Sequence, residues 1–231
     1  FDGRFEWTPR ASRARMSATV AAERWNSVGS TRIWSGTSRV FAINDNDGHD
    51  FEFHKSADGS GWVVPTTFPV PARIPALEES ASIDQRALAS ITTTDVLLVG
   101  LDHDQLMPGL DLDPRSVSTR AAWFSFGFLL RSAAAPFLDV DRNEFRVGLR
   151  TLRRGGQLEA EVFLSDFLEN GAGYSTYLGR PQVCAKLLDY TLHEYGIQEH
   201  GPQGHPCDSA CYDCLKDYAN MSYHGLLDWR L

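Results

Sequence analysis

The sequence has no run of 18 apolar residues and no signal-peptide pattern, which predicts a cytoplasmic protein with no membrane partner. It has no Walker A loop, no Asp-Glu-x-His box and no arginine-finger motif, so ATP hydrolysis is not expected of these residues. Cysteine is scarce: there are four among 231 residues, all in the last third, which is not the density of a secreted disulfide scaffold. No initiator methionine precedes Phe1 and the chain stops at Leu231 within an apparently helical run, which reads as part of a longer protein. Neither an internal repeat nor a low-complexity tract appears. What remains, at 42% hydrophobic content, suffices for one large domain or two small ones with a sizeable core.

Charge is also unevenly supplied. The net charge of −8 argues against a protein that coats nucleic acid generically, but residues 1–39 carry seven Arg against three acidic side chains. This basic strip, with Arg10, Arg13 and Arg15, is a candidate phosphate contact, and its plainer reading is a solvated surface.

The pattern along the chain divides it into a basic, weakly helical lead-in (1–31), a hairpin region with a proline-rich linker (32–75) and a larger α+β unit (76–231). In the first, Arg13 to Arg24 is alanine-rich but has little apolar stripe, which predicts a weak surface helix. Arg39–Ile43 and Phe51–Phe53, bridged by Asn44–Gly48, predict a hairpin, to which Trp62–Val64 adds a third strand. The bridge has some of the Asp rhythm of a calcium loop but lacks its terminal Glu and flanking helices. Glu78–Ser90 reads as a short helix or a partly disordered segment, and Thr94–Leu101, apolar at almost every position, as a central strand covered on both faces. Asp113-Pro114 is read as a helix start, followed by the stripe Ala122, Phe126, Leu129, Leu130 and Ala133, with Pro136 as the stop. Phe145–Arg150 and Ala160–Leu164 alternate as an antiparallel hairpin. Its arginines, Arg142, Arg146, Arg150, Arg153 and Arg154, read either as a phosphate-facing row or as a ladder neutralised by Asp139, Asp141 and Glu144. The fold class is therefore α+β, one mixed or mostly antiparallel sheet covered by helices.

The end of the chain carries the chemistry. Cys207, Cys211 and Cys214 fall within eight residues as C-x3-C-x2-C, a spacing that lets one loop wrap thiolates around a single ion. This predicts a structural zinc site that closes the fold as a four-ligand knuckle, with Cys184 as the preferred fourth ligand and His205 as the alternative. Tyr212, Tyr218 and Tyr223 crowd the knuckle, to shield the thiolates or to stack on bases. Just before it, Asp166 and Glu169 flank the glycine turn Asn170–Gly173, a turn without the Lys or the third glycine of a nucleotide loop. With a histidine such as His193, these carboxylates frame a second reading, a metal-dependent nuclease or phosphoesterase.

Phe163-Leu164-Ser165-Asp166, Asn170–Tyr174, Cys207–Leu215, Asn220 and His224–Leu231 together resemble the MrfA-type zinc-binding domain that ends a set of bacterial helicase-like proteins. Within that group they look most like DrmB of the DISARM anti-phage system, and Val40–Asn46, Gly48, Phe51 and Thr94–Leu98 extend the likeness back to about residue 32. The resemblance implies a non-catalytic zinc module (166–231) that docks on a helicase subunit or domain and meets DNA through that complex. One departure stands out: those helicases place two cysteines side by side where this chain has Cys207 alone, which leaves the fourth ligand open.

Overall fold

A computed structural model describes residues 14–19, 25–44, 51–55, 62–63, 83–102, 110–154, 156–193, 195 and 207–231. Its strands are β1 (Ala14–Thr19), β2 (Asn26–Val28), β3 (Thr31–Asn44), β4 (Phe51–Lys55), β5 (Trp62–Val63), β6 (Ile83–Arg86), β7 (Leu88–Leu101), β8 (Phe145–Arg154) and β9 (Gln157–Asp166). The helices are α1 (Val117–Leu138), α2 (Tyr174–Leu178) and α3 (Pro181–His193), with 3-10 turns at Arg142–Glu144 and Tyr218–Tyr223.

Strand β7 is central, as its apolar run demands. A strand apolar on both faces is stable only when both are covered, and β7 lies between β3 and β9 in a six-stranded antiparallel sheet ordered β1-β3-β7-β9-β8, with β2 also on β3. Ile33, Leu97, Val99, Val147, Val162 and Leu164 face the helices, while Val40, Val96, Leu98 and Phe163 form a second cluster. The edge strands β1 and β8 approach each other, so the sheet is rolled and this second cluster lines its inside.

Three expectations are corrected. The hairpin expected from Arg39–Ile43 to Phe51–Phe53 does not form, because β3 spends its edges on β1, β2 and β7, whereas β4 joins β5 and β6 in a separate three-stranded sheet. Pairing with β7 runs from Thr31 to Asn44, the whole length of β3, and puts it beside the apolar stretch Val96–Val99, which a short local hairpin would not do. The Glu78–Ser90 segment is not helical where described: Ile83–Arg86 is β6 and β7 already begins at Leu88. Likewise Ala14–Thr19 is strand β1, paired with β3, rather than a weak helix. In both cases a partner's unpaired edge overrides weak alanine helix propensity. Arg10 and Arg13, the Asp45–Asp50 turn, the 65–75 proline stretch and His205 lie outside the described residues.

Helix α1 is the packing axis on the outer face. Its N-cap is Ser116 rather than Asp113, and Pro136 lies inside its last turn, three residues before Asp139 ends it in a left-handed conformation (φ 57°). By length and composition alone α1 could cross a membrane, but 67% of its apolar window is buried in this fold. Gly127 brings it close to the sheet: a Cβ there would lie 2.5 Å from Val162 Cγ2 and 2.8 Å from Val147 Cγ1. Gly127→Ala is therefore expected to push α1 off β8 and β9 and to cost about 1–3 kcal/mol, although alanine is the better helix former. An urea denaturation midpoint equal to or above wild type would refute this.

Candidate metal centre

The cysteine loop is built by its own backbone. The amides of Cys214 and Lys216 both donate to the Cys211 carbonyl, at 3.3 and 2.8 Å, and the resulting turn aims Cys211 and Cys214 at one point. The Cys211 amide donates to Cys214 Sγ at 3.1 Å, the kind of N–H bond that stabilises a thiolate. Sγ of Cys207 stands 3.9 Å and Sγ of Cys211 3.6 Å from Sγ of Cys214. Tetrahedral zinc with Zn–S bonds of 2.3 Å requires sulfurs about 3.8 Å apart, so the trio fits that ion. It is the one grouping of three or more Cys, His or carboxylate donors among the described residues, with every donor atom within 4.8 Å of the others.

Cys184 is not one of those mutually close sulfurs. It sits on the inner side of α3, 1% exposed, in the same apolar core that Cys214 and Leu215 enter, and burial pushes its thiol up to about 11. His224 is a brace: its Nε2 lies 3.0 Å from the Asp217 carbonyl and 2.9 Å from Asn220 Oδ1. The structure thus brings together three of the four expected donors.

The last residues hold this loop against α1. Asp217 and Asn220 cap each other's amides across the final 3-10 turn, and Asn220, fully buried, donates to the Leu215 carbonyl at 2.7 Å. The Trp229 indole donates to the Cys207 carbonyl and the Trp229 amide to that of Ser209, both at 2.9 Å. The Asp228 amide donates to Ser125 of α1 at 2.9 Å. Arg131 of α1, buried, reaches Asp217 at 2.8 Å and the Arg142 carbonyl at 3.0 Å. Of the expected tyrosines, Tyr212 and Tyr218 are 61% and 71% exposed, and Tyr223 packs on Phe124 and Phe128; it is Trp229 that bonds the backbone of the cysteine loop. In the sequence Trp229 stands out only as part of the His224–Leu231 motif, with no role of its own, and Arg131 not at all; each bonds across a long separation in the chain, which no local spacing encodes.

The carboxylate alternative does not assemble. Asp166 is buried and both its oxygens are taken, accepting the amides of Ala172 and Tyr174 at 2.7 and 3.1 Å and of Ser175 at 2.9 Å. It closes the glycine turn onto α2, where Gly171 and Gly173 hold φ of 76° and 85°. Glu169 is exposed, and His193 faces Asp189 on α3.

Burial, and then the neighbouring thiols, raise Cys207 and push Cys214 up to about 12. Both are protonated at neutral pH without metal, so each must release a proton when an ion binds. Metal affinity should fall as pH falls, by about a hundredfold or more per pH unit, since at least these two protons are released. A titration with a competing chelator between pH 6 and 8 checks this, and a flat profile would mean that the thiols are not the ligands.

No family model matches the sequence. A stretch of 115 residues, 48% of the chain, is 32% identical to Druantia protein DruE of Escherichia coli strain UMEA 4076-1, of whose length it spans 6%. In fold, 90% of the chain superposes with a TM-score of 0.50 and 15% identity on 23% of the crystallised DUF1998 helicase MrfA bound to DNA. The chain is thus similar in fold to part of that helicase, of which it spans less than a quarter.

Proposed function

We propose that this chain is a non-catalytic, zinc-binding module of a helicase-associated bacterial defence protein. The observation that carries this reading is the three-sulfur centre clamped to α1 by the tail, in a fold similar to part of MrfA. The partial identity to DruE, a defence protein, supports the setting, and the resemblance of the terminal motifs to DrmB refines it to a DISARM-type system. Cys207, Cys211 and Cys214 would hold the ion, with a fourth donor from Cys184 or His205, and a cage closed by four protein ligands leaves no position for a reacting water. The ion's contribution would be folding free energy, which fixes the tail as part of a surface that docks on a helicase subunit or domain and, through it, on DNA.

The test is elemental analysis of the purified chain with thiol titration before and after chelation. One zinc per chain, with thiols that turn reactive on chelation, is expected. A metal-free chain with its cysteines unreactive throughout would overturn the reading, and so would Mg2+-dependent DNA cleavage lost on Asp166→Ala with the fold intact.

A further inference from the structure

One row across the sheet is charged where its neighbours are apolar. Arg32 of β3 stands opposite Gly100 of β7, and Glu161 of β9 opposite Arg150 of β8. Val99 pairs with Val162, so Gly100 and Glu161 are neighbours one step along. The glycine makes the row possible: a Cβ at Gly100 would come within 3.0 Å of Glu161 Cγ and 3.2 Å of Arg32 Nε. With no side chain there, Arg32 reaches across β7 and bonds Glu161 directly.

Glu161, 2% exposed, is shared by three guanidiniums. Arg32 takes Oε1, Arg150 approaches Oε2 at 3.3 Å, and Arg154 stands 3.8 Å from Oε1. Arg154 is also 3.8 Å from Glu159, so its contacts to both carboxylates are beyond hydrogen-bond length. These acids, rather than Asp139, Asp141 and Glu144, are the partners of Arg150 and Arg154. Among the described residues these ion pairs set three guanidiniums against two carboxylates, and the buried Nε of Arg32 has no acceptor there. The Trp25 ring lies 4.2 Å from the Arg32 guanidinium and fixes its plane. Gathering three like charges is costly unless an anion completes the set.

We propose that the end of the rolled sheet where Arg32, Arg150 and Arg154 surround Glu161 is a binding site for a phosphate group. Phosphate suits it because its tetrahedral oxygens can accept from more than one planar guanidinium at once, and Arg154, 31% exposed, is open to solvent. The phosphate is that of a free small anion or of a nucleic-acid backbone.

The experiment compares the thermal midpoint of the chain in millimolar inorganic phosphate and in chloride of equal ionic strength. Wild type should be stabilised by phosphate. Arg154→Gln, which spares the Arg32–Glu161 bond, should weaken the phosphate dissociation constant by roughly tenfold or more. Glu161→Gln should tighten it, a sign that a merely structural role would not produce. No stabilisation of wild type, or equal stabilisation of wild type and Arg154→Gln, overturns the proposal. The source is read with a single-stranded oligonucleotide: if it displaces phosphate and binds Arg154→Gln more weakly, the site contacts a nucleic-acid strand. If oligonucleotide and phosphate do not compete while phosphate binding still depends on Arg154, the site takes a free anion.

Discussion

Cys214→Ser is expected to abolish metal binding and to release residues 207–231 from α1. Structural zinc contributes about 10–16 kcal/mol in small zinc modules, as much as the 5–15 kcal/mol that holds a whole domain together. The terminal segment has little regular structure of its own; it is anchored by bonds such as those of Trp229 to Cys207 and Ser209, whose geometry depends on the loop. Elemental analysis should read zero metal, and hydrogen exchange should show lost protection at Leu215, Asn220 and Leu227, all buried in the intact chain. Asp208→Ala, at an exposed position in the same loop, should change neither. If Cys214→Ser keeps its protection, the tail is held by α1 alone and the ion is dispensable.

Arg131→Met should have the next largest effect, about 3–5 kcal/mol, or roughly a 10 °C fall in melting temperature for a chain of this size. Burial draws Arg131 below its ordinary pKa while Asp217 holds it charged, and its Nε–H satisfies the Arg142 carbonyl as well. Methionine fills the apolar part of the space but leaves Asp217 without its cation and the carbonyl without its donor. Asp217→Asn, which can still cap the 3-10 turn, should cost less, and the double substitution should cost less than the sum of the two. A loss below about 1 kcal/mol for Arg131→Met would show that solvent reaches the pair and screens it.

What the sequence made legible was what repeats locally. The alternation of Phe145, Val147 and Leu149 against Glu144, Arg146 and Arg150 announced β8, and its pairing with β9 follows from a short glycine turn. The apolar run of β7 announced a strand covered on both faces, and the cysteine spacing announced three donors from one loop. What was hidden depends on residues far apart. Thr31 pairs with Leu101 and Asn44 with Leu88, so β3 finds its partner only after the whole intervening segment. The Ser- and Ala-rich start of β7 has no period to read; it becomes strand because β3 offers an edge. The arginines of β8 were visible as a row, but the carboxylate partners of Arg150 and Arg154 lie on the next strand rather than beside them.

The clamp between the tail and α1 also sets an order of events during synthesis. Leu138 leaves the ribosome well before Leu231, and at ~5–20 residues per second the interval is on the order of 5–20 s. Throughout it, α1, the most apolar of the described helices, lacks the cover that Tyr223, Leu227 and Asp228 later provide. A nascent chain in that condition is a substrate for chaperones that hold apolar segments, and zinc supply to the emerging cysteines would then set how fast it is let go.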